Sequence, residues 1–173
     1  MSTFIRHGVA LLLMSALPAF AATREEEAKK YAADLKNKDA KVRLTAVKEL
    51  GKLGQLQRKL TTPYIADIMK VLADSDPGVR GAAAEALGLI DPEDKKAAVT
   101  KIVEILKDEK SETARTGQET GLGELGATAE DADVKRMARE ALMAARKKTE
   151  SKREQKVIQA ALLLINGPKK KKD

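Results

Sequence analysis

Apolar residues return along this chain every three or four positions, in stretches that break at short polar turns. Val42, Ala46, Val47, Leu50 and Leu53 share one helical face, and Ile65, Ile68, Met69 and Leu72 share the next. Val79, Ala83, Ala86, Leu87 and Ile90 follow, then Val99, Ile102, Val103 and Leu106. Val134, Met137, Ala138, Ala141, Leu142 and Ala145 form the last clear stripe. The stripes predict helices of two alternating kinds, A and B. A helices are expected over 24–35, then from Thr62, from Asp91 and from Thr128. B helices are expected over 40–53, 77–90, 111–125 and 151–165. Asp39 and Asp76-Pro77 read as caps of B helices, and Thr62-Pro63, Asp91-Pro92-Glu93-Asp94 and Thr128-Ala-Glu-Asp131 as starts of A helices. Asn166-Gly167-Pro168 reads as a stop.

The B stripes also share wording. Asp39, Val42, Arg43, Ala46, Leu50, Gly51, Leu53 and Gly54 return as Asp74, Asp76, Val79, Arg80, Ala83, Ala86, Leu87, Gly88 and Ile90. A worn third copy keeps Asp108, Arg115, Leu122, Gly123, Leu125 and Gly126. Its arginine lies 35 residues after Arg80, which lies 37 after Arg43. Self-similarity at that period means stacked helix pairs that bury a continuous core. In the third copy Gln118 and Glu119 stand where the second has Ala83 and Ala84. Buried and unpaired, they would cost about 1–3 kcal/mol. The expectation is a rotated or loosely packed helix, or a polar binding spot; Gly117, Gly121 and Gly123 favour looseness.

This pattern resembles HEAT repeats, in the short variety called PBS-lyase HEAT-like repeats. The resemblance implies an all-α, right-handed α-solenoid of about four helix-turn-helix units over residues 22–166. It implies a non-catalytic scaffold that binds a protein or peptide along a concave face. Asp39 with Arg43, and Asp74 or Asp76 with Arg80, sit at helix-start spacing, and the resemblance implies that these residues and Arg115 tie successive turns into a ladder. Outward positions of the B helices would form the concave face: Lys48 and Lys52, then Gly81, Glu85 and Leu89, then Thr116, Thr120 and Glu124. From this set, Lys48, Lys52, Glu85, Leu89, Thr120 and Glu124 are the expected partner-binding residues.

The ends of the chain change this picture. Arg6 and His7, the apolar run Gly8–Leu17, Pro18 and Ala19-Phe20-Ala21 read as a secretory signal peptide over residues 1–21. Such a segment would direct export to the periplasm or beyond, and its removal would take with it the one histidine and both phenylalanines. The remainder has no Cys, His or Trp. That excludes disulfides, zinc sites of the usual ligands and nucleophile–histidine catalysis. No cofactor, metal or catalytic residue is expected, and no later run is long enough to span a membrane.

The net charge of +7 is local. Residues 22–145 are almost neutral, with 22 basic and 23 acidic residues, whereas 146–173 hold 10 basic and 3 acidic. A body without a basic stripe, and almost without aromatics, argues against nucleic acid as the ligand. Lys147, Lys148, Lys152, Arg153 and the tail residues Lys169, Lys170, Lys171 and Lys172 offer an alternative function, adhesion to an anionic envelope surface. The tail, residues 167–173, is expected to be disordered.

Overall fold

The computed structural model describes residues 23–167. The proposed signal peptide and the lysine tail lie outside these residues. Helix α1 covers residues 23–34. Then come α2 (Ala40–Leu56), two short 3-10 turns (Arg58–Leu60 and Thr62–Tyr64) and α3 (Ile65–Val71). The chain continues through α4 (Pro77–Ile90), α5 (Lys95–Leu106), α6 (Glu112–Thr128), α7 (Ala132–Lys148) and α8 (Lys152–Asn166). No strand occurs among the described residues.

The B helices α2, α4, α6 and α8 stack directly on one another in that order. The A helices α3, α5 and α7 pack against them as a second layer. This is the α-solenoid that the repeats predict. One core cluster runs from Ala28 to Ile165, fed by the stripes read from the sequence. Each pair lends its apolar face to the next, so no pair could fold alone.

Caps fix where the helices start. Asp39 accepts from the Lys41 amide (2.8 Å) and Asp76 from the Val79 amide (3.0 Å). Three expected starts move. Thr62-Pro63 opens a 3-10 turn, where Thr62 Oγ1 donates to the Arg58 carbonyl instead of capping α3. Asp94, not Asp91, caps α5 by accepting from the Ala97 amide (2.9 Å), because Asp91 closes α4 in the left-handed conformation at φ 54°. Asp131, not Thr128, caps α7, since α6 runs on to Thr128. There, Thr128 Oγ1 donates to Asp91 Oδ1. Asp91 also receives Arg58, so it joins three successive repeats.

Helix α6 is not loose. A Cβ added at Gly117 would lie 2.5 Å from the Gly81 carbonyl oxygen, and one at Gly121 would lie 2.3 Å from that of Ala84. These glycines let α6 sit backbone to backbone on α4. The expected looseness is therefore corrected: glycine costs helix propensity here, but a closer interhelical approach offsets that cost. Gln118 and Glu119 are fully buried, so neither forms an exposed polar spot.

Candidate functional site

Two sets of polar residues emerge from the stack, one along the turns and one across the B layer. The turn set repeats with a fixed geometry. In each turn a side-chain oxygen accepts the amide two residues on: Asn37 from Asp39, Asp74 from Asp76, Glu109 from Ser111 and Thr149 from Ser151. Six residues after the first three stand Arg43, Arg80 and Arg115. Each donates Nη1 back to two carbonyls of its own turn. Each also grips an acid of the next repeat with Nε and Nη2. Arg43 holds Asp74 at 2.6 and 2.7 Å, Arg80 holds Glu109 at 2.7 and 2.8 Å, and Arg115 holds Glu154 at 2.8 and 2.9 Å. Bidentate geometry of this kind is what the planar guanidinium supplies and lysine cannot.

The pairs thus run between repeats rather than within one. Asp39 and Asp76 act as caps and do not accept hydrogen bonds from an arginine. In the third copy Glu109 takes the arginine, and Asp108 stays exposed. The hydrogen bond from Arg80 holds the Glu109 carboxyl down at about 2, against the opposing effect of burial. Burial pushes Asp74 up, but bonds from Arg43 and the Asp76 amide outweigh it and leave it below the usual carboxylate range.

Glu154 departs from the pattern. It comes from the first turn of α8, five residues after Thr149, a register that Val79 fills in α4. It is 1% exposed. Arg115 grips both its oxygens, and Thr149 Oγ1 donates to one of them at 2.8 Å. These bonds lower its pKa despite burial. Glu119 lies behind it, 0% exposed, with neither carboxyl oxygen hydrogen-bonded to a fixed donor. Burial, then the charge of Glu154, push Glu119 up to about 9, with Arg115 opposing. At neutral pH Glu119 is therefore a neutral acid. Its own proton serves as the donor toward Glu154. This explains how two carboxyl groups share one buried place. Gln118 donates weakly to Glu109 at 3.4 Å, and its own carbonyl oxygen has no partner.

The second set crosses the B layer. Lys48, Glu85 and Thr120 occupy one register of α2, α4 and α6, and Lys52, Leu89 and Glu124 occupy another four residues on. Lys48 and Lys52 are exposed, and the other four are half-buried. Gly81 and Thr116, expected on the same surface, are instead buried by the close α4–α6 contact. Glu85 and Glu124 stand on adjacent helices α4 and α6, in neighbouring registers of this layer. Burial raises both carboxyl groups; Lys48 counteracts this for Glu85, while Glu85 itself adds to it for Glu124. Glu124 Oε2 is buried without a hydrogen-bond partner, beside Gly88. A Cβ added at Gly88 would meet that carboxylate, and the Glu124 side chain would have to shift. Sequence reasoning found these positions from helical spacing, but not the burial of their carboxyl groups.

The basic end is placed in part. Arg146, Lys147 and Lys148 form the last turn of α7, where positive charge suits the helix dipole. Lys152 and Arg153 open α8. Among the described residues no three His, Cys, Asp or Glu side chains gather to hold a metal ion. Among the same residues no helix is long and apolar enough to cross a membrane.

Comparison with known proteins agrees with this architecture. No curated protein matches the chain. The family model described as HEAT repeats matches residues 28–123, from α1 into α6 and so across the three copies that carry the arginine. The match stops short of α7 and α8, where the motif itself fades. The chain belongs to the HEAT-repeat family.

Proposed function

We propose that this protein is a non-catalytic scaffold that holds a protein or peptide partner on its B-helix layer, with Glu85 and Glu124 receiving a basic side chain from that partner. HEAT repeats are in general protein-interaction scaffolds, which supports the first half. The observation that carries the second is the burial of Glu85 and Glu124. Two half-buried carboxyl groups lie on adjacent helices, burial raises both, and one buried oxygen of Glu124 lacks a partner. An arriving lysine or arginine would meet the half-buried carboxyl groups and offset the cost of burying them, with the Glu124 side chain turning outward to reach it. Groups that are costly alone and satisfied in a complex give an interface its specificity. Leu89 and Thr120 beside them supply apolar and hydroxyl contact, and Lys48 and Lys52 would meet acidic rim residues. The reading places the protein outside the cytoplasm, on the strength of the signal-like residues 1–21.

The test is affinity capture from an envelope extract with the wild type and the Glu85→Gln/Glu124→Gln variant. Both changes keep shape and remove charge. Retention of the captured protein should fall about tenfold or more in the variant. Equal retention would reject this use of the surface.

The basic end favours one further reading. Arg146, Lys147, Lys148, Lys152 and Arg153 form no ion pair among the described residues and leave a concentrated positive patch. Such a patch would hold the scaffold on an anionic envelope surface. Sedimentation with anionic vesicles should then weaken steeply as salt rises, and be lost when these five residues become glutamine.

A further inference from the structure

On the A-helix side, away from Glu85 and Glu124, a cleft of about 610 Å³ opens between α5 and α7. Its walls are apolar and short: Val103 and Leu106 from α5, and Ala141, Ala144 and Ala145 from α7. The alanines create the space, because larger side chains there would close it. The floor is rigid. It is the Arg115–Glu154 pair, each end held by several hydrogen bonds. The rim carries Lys107, Lys110 and Lys148, against the single rim acid Glu150. Glu109 also lines the cleft, but Arg80 neutralises it. None of the three lysines forms an ion pair with an acid of the described residues.

We infer that this cleft is a second binding site, for an acidic peptide segment with aliphatic side chains. The volume falls in the range of sites that enclose a few side chains, roughly 300–1,000 Å³. Short apolar walls accept an aliphatic side chain such as leucine. Three unpaired ammonium groups at the mouth call for carboxylates beside it. The cleft is open along one side, so a bound segment can keep its backbone in water. A lipid tail would need enclosure that this cleft lacks. The floor already uses its donors and acceptors internally, so it fixes the shape of the cleft and leaves recognition to walls and rim.

The test uses a fluorescein-labelled peptide of alternating leucine and glutamate, read by anisotropy and by amide chemical-shift changes in the intact protein. Shifts should gather at Ala141, Ala144, Ala145 and Lys148. The Lys107→Gln/Lys110→Gln/Lys148→Gln variant should weaken binding about tenfold or more. The Ala144→Leu variant, which fills the cleft from an exposed helix position without changing charge, should weaken it comparably. Circular dichroism melts check that both variants stay folded. The inference is overturned if the peptide does not bind at millimolar concentration, or if a leucine–glutamine peptide binds as well. It is also overturned if Ala144→Leu has no effect, or if the shifts gather on α2, α4 and α6, which would assign the peptide to the other surface.

Discussion

Gln155 Nε2 donates to the Thr149 carbonyl at 3.1 Å, six residues back, repeating the bond that Arg43 makes to Asn37 and Arg80 makes to Asp74. Glutamine closes the turn as arginine does, but carries no charge toward a further repeat. The ladder thus has ends built into it. Asn37 and Thr149 are neutral at the outermost turns, whereas Asp74 and Glu109 are charged at the inner ones. An acid is present where an arginine from the preceding repeat arrives, and the fourth repeat moves its acid to Glu154.

This arrangement predicts that Thr149→Asp destabilises the protein, although aspartate is native at the equivalent position 74. Arg115 is already committed to Glu154, so the new carboxylate would meet a like charge and lose the donated hydroxyl bond. A loss of about 1–3 kcal/mol is expected in urea unfolding. An unchanged midpoint would contradict the assignment of Glu154 as the displaced acid.

Glu109→Gln should cost about 2–4 kcal/mol at neutral pH, since it leaves Arg80 half-buried without its counter-ion. The wild-type carboxyl is held at about 2, below the ordinary 4.5. It therefore stabilises the fold above pH 4.5, and that stability drains away as pH falls toward 2. The variant lacks this drain, so the two melting-temperature curves should converge on acidification. Curves that stay parallel would be inconsistent with the pair.

Glu119 carries the opposite sign. Its native carboxyl is pushed up to about 9 from 4.5, so its contribution is whole below pH 4.5 and declines as pH rises through 9. Glu119→Gln keeps the donor to Glu154 and removes the titration. The variant should gain on the wild type steadily as pH rises from 5 to 9. Thermal melts at pH 5, 7 and 9 decide it; a constant difference across the series would mean that Glu119 is not the neutral acid described.

Gly121→Ala tests the close approach of α6 to α4. The added methyl would meet the Ala84 carbonyl, which cannot swing away as a side-chain end could. Despite alanine's better helix propensity, a loss of about 1–3 kcal/mol is expected. A gain in stability would show that the helices are further apart.

Much of this could be read from the chain before folding. Val79, Ala83, Leu87 and Ile90 announce a buried helical stripe, and the recurrence of Val-Arg with Leu-Gly announces the stack. The partner of each arginine could not be read in the same way, because the local acids Asp39 and Asp76 sit at plausible spacing and the true pairs cross from one repeat to the next. The constant six-residue step from Asn37, Asp74, Glu109 and Thr149 was the available signal, and it points to Glu109 over Asp108. Glu154 was hidden because it stands in a valine register. Gln118 and Glu119 look like surface residues by composition. Their burial follows from Gly117 and Gly121, which draw the helix inward, and from Glu154, which accepts the Glu119 proton.

The most direct test of the scaffold account is site-specific photo-crosslinking in cells. A photoreactive residue replaces Lys52 or Thr120 on the B layer, and Lys101 or Glu104 on the A layer. The account predicts a discrete protein adduct from positions 52 and 120, abolished when Glu85 and Glu124 become glutamine, and no such adduct from 101 or 104. That same adduct forming from 101 and 104 alone, or persisting from 120 after both glutamates are neutralised, would contradict it.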